Sequence, residues 1–339
     1  MTVPPHTCVI TVNTGTPDSP SPHDVRRYLR SFLGDKKVID LPWLFRKILV
    51  NMIIAPFRGS KSAKLYSTIW TDKGSPLLVN SRNFNNSLQT NLGDGYKVIM
   101  AMRYGNPSID AAIKTAVGAK INKLIIMPVF PQYADSTTGS IIAETENVIK
   151  KNHLKVETRI IGPFFQDTGF IKAFSEKIGK YRPEEYEHIV FSFHGLPVSQ
   201  TEKMHPGKTC VELNCTEEYT DRNSKCYNAS CFATARLLAG ACGISKKRYT
   251  VSFQSRLGMK WLKPYTDMVL KEKALVGAKK VLLVSPSFVS DCLETIYELG
   301  IEYKRQFTEN GGKELTLVES LNDDSSWVNA AAEIIRQNS

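Results

Sequence analysis

The chain is predicted to be an α/β protein of two doubly wound domains, each built on a four-stranded parallel sheet. Eight short apolar runs occur along it, in two sets of four. Nearly every position in a run is apolar, which suits strands covered on both faces. Helix-length segments separate the runs, as parallel βα units require.

The first set comprises "CVITVN" (8–13), "KVIMAMR" (97–103), "KLIIMPV" (123–129) and "KVETRII" (155–161). The second comprises "HIVFSFH" (188–194), "YTVSFQS" (249–255), "KVLLVSP" (280–286) and "ELTLVES" (314–320). The boundary is expected near "GPFFQDTG" (162–169), giving an N-terminal domain over 1–165 and a C-terminal domain over 166–325. The remainder, 326–339, carries Trp327 and reads as a closing helix. No internal repeat is clear enough to establish duplication.

At 339 residues the chain can bury two cores, and its 42% hydrophobic content is that of an ordinary globular protein. The longest apolar stretch, "LPWLFRKILVNMIIAPF" from Leu41, is interrupted by Arg46 and Lys47, so no membrane span is expected. The N-terminus lacks a basic start followed by an apolar run, so a cytoplasmic protein is expected. Net charge is +11, and residues 26–64 carry ten basic and two acidic residues. That asymmetry suits either a solvated face or an anionic partner, such as lipid head groups or a poly-carboxylate. No nucleic-acid signature accompanies it.

In open parallel sheets the chemistry collects beyond the carboxyl ends of the strands. There is no G-x-G-x-x-G among those segments, which argues against a nicotinamide dehydrogenase. His194 ends a predicted buried strand, and Gly195 beside it permits close approach of a ligand. After another strand, Asp291, Glu294, Glu298 and Glu302 follow at spacings of three, four and four, which lays carboxylates along one helical stripe. An acidic face in water is the ordinary explanation of such a row. Starting at a strand end, however, its first members should share a cleft with His194. A histidine and carboxylates together can bind a divalent first-row cation or accept protons. Arg103, Tyr104, Gln132 and Tyr133 lie at two other strand ends; with Tyr66, Trp261 and Phe288 they suit a broad aromatic pocket for a large flat ligand.

Several motifs in order carry a resemblance: "NTGTPDSP", "GSPL" (74–77), "PQYADSTTG", "FSFHGLP", "FQSRLG" with "WLKPYTD", and "SDCLETIYEL". From about Val9 to Leu321 the chain resembles the ferrochelatases, which insert Fe²⁺ into a porphyrin at the end of haem synthesis. The resemblance implies two Rossmann-like domains (the chelatase fold) with the porphyrin between them. It implies that His194 and Glu294 meet the substrate Fe²⁺ and the leaving protons, with Asp291 one helical turn earlier as a further catalytic acid. Glu298 and Glu302 match an acidic path for metal or protons. Tyr66, Ser75, Arg103, Tyr104, Tyr133, Trp261 and Phe288 match positions lining the porphyrin pocket. Residues 41–60 match a lip over the pocket mouth that makes peripheral contact with the inner face of the membrane. Cys292 stands where some relatives carry a second histidine. Protoporphyrin IX is the expected substrate; coproporphyrin, or a non-catalytic porphyrin- or haem-binding iron–sulfur protein, is the alternative.

Four of the seven cysteines crowd the insertion 199–231, with the spacing C-x₄-C-x₁₀-C-x₄-C. A reducing cytosol and an odd count favour metal ligation over disulfides. The spacing fits zinc only fairly, whereas all-thiolate coordination also suits a [2Fe–2S] cluster, and free or redox thiols are a third option. Some relatives carry such a cluster, so the resemblance implies a [2Fe–2S] centre on Cys210, Cys215, Cys226 and Cys231. His205, in "SQTEKMHPGKTC", is read as a surface loop residue.

Overall fold

A computed structural model describes residues 6–121, 123–205 and 207–339. All eight apolar runs form strands: β1 (Thr7–Gly15), β2 (Tyr96–Tyr104), β3 (Lys123–Pro128), β4 (Glu157–Ile160), β5 (His188–His194), β6 (Tyr249–Gln254), β7 (Lys280–Val284) and β8 (Glu314–Leu317). They form two four-stranded sheets with the same order, β2-β1-β3-β4 and β6-β5-β7-β8, and every pairing is parallel. The α/β fold predicted from the sequence is therefore the fold observed.

That order fixes where a ligand can be met. In each sheet the chain winds to one side of its first strand and then to the other, so a crevice opens between the carboxyl ends of the first and third strands. In the second sheet those are the ends of β5 and β7, which places His194 beside the segment that follows Val284. The central strands are covered on both faces: Val9, Ile10, Val190 and Phe191 are all fully buried. The edge strands differ from expectation. β4 alternates exposed and half-buried residues and is only four residues long, because an edge strand is covered by one neighbour only.

Two compact units result. One holds the chain up to Phe130 with Asp135–Gly162 and Asn322–Ser339; the other holds Pro131–Ala134 with Pro163–Leu321. Residues 163–165 thus join the second unit rather than the first, because the N–H groups of Phe164 and Phe165 both donate to the Pro131 carbonyl, at 3.0 and 3.1 Å. The final helix, Ser325–Gln337, packs back on the first unit. Asp324 caps it, and the fully buried Trp327 stacks on Phe84 of the helix Pro76–Leu92 with ring centroids 5.6 Å apart.

Residues 43–69 are helical throughout, with a π-helical stretch, Leu49–Ile54, between Trp43–Ile48 and Ala55–Ile69. Arg46 does not break an apolar surface there. It turns inward, donating to the carbonyls of Gly34 (2.9 Å) and Leu41 (2.6 Å). The outer face is left apolar: Trp43 is 65% exposed, Met52 69% and Phe57 78%. Among the described residues no helix is long and apolar enough to cross a membrane.

Candidate active site

His194 is delivered by the last residue of β5, paired in register with Gln254 of β6. Its Nδ1 lies 2.7 Å from the Gly195 carbonyl oxygen, which can only accept, so Nδ1 carries a proton and, in the neutral ring, Nε2 holds the lone pair. Nε2 has no hydrogen-bond partner among the described residues. Two backbone bonds steady the residue: its N–H donates to Ser287 Oγ (3.4 Å), and the Tyr227 hydroxyl donates to its carbonyl (2.9 Å). Gly195 is required by crowding. A Cβ there would stand 2.8 Å from the Gln254 carbonyl and 3.2 Å from the Trp261 ring. Trp261 is clasped to the same turn by a bridge to Pro197 and by the Leu262 N–H donating to Leu196 O. Phe288 also lies near, its ring centroid 6.3 Å from that of His194.

The acidic row stands on a π-helix, Glu294–Glu302, rather than an α-helix. The wider turn leaves positions four apart nearly in line. Thr295, Leu299 and Tyr303 are buried at that spacing, so Glu294, Glu298 and Glu302 form the adjacent, half-buried line. Asp291 serves the start of this helix. Its carboxylate accepts from the Thr295 hydroxyl (2.9 Å) and from the Ser320 N–H (3.3 Å). Glu294 accepts from the Cys292 thiol at 3.0 Å, and burial with that neighbouring carboxylate holds the thiol well above its ordinary range.

Glu298 is the best held of the row. It accepts from the Ser255 N–H (2.8 Å), the Ser255 hydroxyl and the Tyr303 hydroxyl (2.8 Å). Ser255 sits just past β6 with φ of 61°, a left-handed conformation uncommon for serine, which aims both of its donors at the one carboxylate. Burial raises the Glu298 pKa; the Ser255 and Tyr303 bonds and the His194 charge oppose that rise, and Glu294 adds to it. Glu298 therefore feels both the His194 ring and the Glu294 carboxylate. Ser255 lies in the "FQSRLG" motif, but nothing there pointed to Glu298, and Tyr303 carried no signal.

Other predicted residues are placed differently. Tyr133 belongs to the second unit and is half-buried. In the first unit, Ser75 caps the helix Pro76–Leu92, accepting from Leu78 N–H, and is buried. Tyr66 is buried edge-on to Tyr28 and Trp70. Arg103 and Tyr104, expected as pocket-lining handles, both turn to Asp35. The guanidinium Nη2 and the phenol each lie 2.8 Å from its Oδ2, and Ser140 Oγ lies at 2.6 Å. Burial alone would raise the Asp35 pKa, but bonds from Ser140, the Lys37 N–H and Tyr104, with the Arg103 charge, leave it below the ordinary range.

The cysteine-rich insertion contains a compact donor cluster. Cys210, Cys215, Cys226 and His205 place one ligand atom each so that all four lie within 4.8 Å of one another. His205 Nε2 is 3.8 Å from the sulfurs of both Cys210 and Cys215, and the Cys210 and Cys226 sulfurs are 3.7 Å apart. This group differs from the four cysteines expected, and His205 from the surface residue expected. His205 is 3% exposed, not a surface residue. Cys231 is not in the group: Cys226 caps the helix Tyr227–Ala241, and five residues later the chain has turned roughly 140° about the helix axis. The signal for His205 was the repeat H-x₄-C-x₄-C formed with Cys210 and Cys215.

The ferrochelatase family model matches residues 6–339. The chain is 43% identical over 335 residues to a ferrochelatase of Coxiella burnetii (strain Dugway 5J108-111), covering 97% of this chain and 93% of that one. It is 41% identical over 330 residues to a ferrochelatase of Legionella pneumophila (strain Paris), covering 97% and 98%. Among solved structures, SirB from Bacillus subtilis with Fe³⁺ superposes with a TM-score of 0.57 at 12% identity, covering 98% of this chain and 95% of that one, a likeness of fold alone.

Proposed function

The chain belongs to the ferrochelatase family and is a metal chelatase; from that premise we propose that it inserts Fe²⁺ into protoporphyrin IX, releasing two protons, as the final step of haem formation. The reading is supported above all by His194, whose Nδ1–H is committed to Gly195 O, leaving Nε2 as the ring's free nitrogen within electrostatic reach of Glu298.

Porphyrin metallation removes two pyrrole N–H protons as Fe²⁺ sheds water and gains four nitrogens. In the proposed mechanism His194 Nε2 takes a proton from the macrocycle, and the Gly195 carbonyl steadies the imidazolium that forms. Glu294 replaces water around the incoming cation. Glu298, already raised by burial, accepts the proton onward and passes it along the line to Glu302. Asp291 is a positioning residue, since its carboxylate fastens the start of the π-helix to Ser320. Trp261, against Gly195, and Phe288, near the His194 ring, offer flat apolar contact to the macrocycle, with Tyr133 in the same unit. Walls that favour a bent macrocycle would expose its nitrogen lone pairs, an instance of preferential transition-state binding. Roles for Tyr66, Ser75, Arg103 and Tyr104 in porphyrin binding rest on the family resemblance.

The apolar outer face of residues 41–60, with Lys47 over the Trp43 ring at 4.9 Å, is proposed to rest on an anionic membrane surface. An anaerobic assay offering Fe²⁺ with protoporphyrin IX and with coproporphyrin in parallel tests the substrate assignment. Faster quenching of protoporphyrin fluorescence is expected; metallation of coproporphyrin alone would replace the substrate, and metallation of neither would remove the activity.

A further inference from the structure

We propose that His205, Cys210, Cys215 and Cys226 form a closed site for one tetrahedral divalent cation, zinc by its donor chemistry, in place of a [2Fe–2S] cluster on four cysteines. The inference stands on the geometry of the insertion and is independent of the substrate cation at His194.

The spacing of the donor atoms decides between the two. Zinc bonds of about 2.3 Å to sulfur and 2.0–2.1 Å to nitrogen, set tetrahedrally, put donor atoms roughly 3.5–3.8 Å apart. The measured separations, 3.7 Å between the Cys210 and Cys226 sulfurs and 3.8 Å from His205 Nε2 to two sulfurs, meet that requirement. A binuclear cluster needs two ligand pairs set further apart, one pair on each iron. Here all four atoms converge within 4.8 Å, and the fourth cysteine, Cys231, lies deeper along the helix with the Tyr227 hydroxyl as its neighbour. Four protein donors leave no open position, which marks a structural rather than a catalytic site.

The surroundings suit thiolates. Cys226 Sγ accepts from the Ala229 N–H at 3.4 Å at a helix N-terminus, and Cys215 Sγ accepts from Asn223 Nδ2 at 3.6 Å. Asn228 donates to Cys210. Such N–H donors stabilise sulfur that carries negative charge, and the helix N-terminus offsets the net charge of three thiolates and one divalent cation. His205 adds an independent indication. Its ring is buried, Nδ1 has no partner among the described residues, and Nε2 faces only sulfur. A buried Nε2 surrounded by sulfur is placed as a ligand nitrogen among thiolates would be.

The site also has a mechanical consequence. Cys226 is followed directly by Tyr227, whose hydroxyl holds the His194 carbonyl at 2.9 Å. One ion would pin the insertion and, through Tyr227, the strand end that presents His194.

The test is metal content after dialysis against a chelator, for the wild type and for His205→Ala, Cys226→Ser, Cys231→Ser and His194→Ala proteins. Wild type, Cys231→Ser and His194→Ala are expected to retain about one zinc per chain, whereas His205→Ala and Cys226→Ser lose at least about tenfold. Should the ligand variants fail to fold, Co²⁺ exchanged into the wild type gives a second readout: intense tetrahedral d–d bands with thiolate charge transfer are expected. Iron and acid-labile sulfide in equal amounts, lost in Cys231→Ser but kept in His205→Ala, would overturn the proposal. So would a wild-type chain that holds no metal and gives no tetrahedral cobalt spectrum. Retention of zinc by His194→Ala separates this site from the substrate site, so failure of one reading leaves the other standing.

Discussion

At the carboxyl end of the first sheet, Arg103, Tyr104 and Ser140 all direct their donors at Asp35. At the corresponding end of the second, His194 keeps Nε2 without a partner among the described residues, and Glu298 is raised by burial beside Glu294. The strand order is the same in both, so topology provides two equivalent crevices. What separates them is satisfaction: a network whose donors and acceptors match resists proton transfer, whereas an uncommitted ring nitrogen near a buried acid invites it. The fold supplies the places, and the side chains decide which one does chemistry.

The largest effect should come from the proposed reactive end. Glu294→Gln is expected to lower metallation about 10³-fold, with porphyrin binding, read by fluorescence, changed only a few-fold. Near-wild-type turnover would put the two ends on an equal footing. The satisfied end should fail in stability instead. Asp35→Asn leaves the Arg103 guanidinium with only Glu144, at 3.8 Å, as a charged partner, and denaturant unfolding should show a loss of about 3 kcal/mol. Its turnover per folded molecule should fall less than about tenfold. A collapse of turnover with unchanged stability would reverse the assignment.

A histidine at the opposite end of β5 sharpens the contrast. His188 bonds Thr250 Oγ1 at 2.8 Å, and burial, with Lys273 and Arg248, lowers its pKa to about 4. Its folded pKa is depressed, so its stabilising contribution is complete above pH 6.5 and is lost as pH falls toward 4. Between pH 6.5 and 5 the loss should be about 2 kcal/mol in the wild type and absent in His188→Gln, with turnover at pH 7 hardly altered. The smallest effect belongs to Tyr303→Phe. Removing a donor to Glu298 should raise that carboxyl further and move the acidic limb of the pH–rate profile upward, with a few-fold change in maximal rate. A downward shift would show that the Tyr303 bond does not favour the ionised form.

Much of this was legible in the sequence for a physical reason. Strands buried on both faces must be apolar at successive positions, so β1, β3, β5 and β7 announced themselves, and a histidine closing such a run stood out. The acidic row was legible as a stripe, though its π-helical pitch was not, because a spacing of four is compatible with either turn. Asp35 in "LGDKK" looks like any solvated charge; only the return of β2 and of residues 135–140 buries it. Arg46 seemed to interrupt an apolar surface, yet its side chain satisfies loop carbonyls that the sequence does not place. The cysteine count pointed to a metal, but the choice of fourth ligand depended on the helix that begins at Cys226 and carries Cys231 away.

The most direct test of the contrast between the two sheet ends is His194→Ala, assayed anaerobically with Fe²⁺ and protoporphyrin IX while porphyrin binding is followed separately. Loss of metallation with binding retained is the expected result. Metallation at a rate near the wild type would contradict the account.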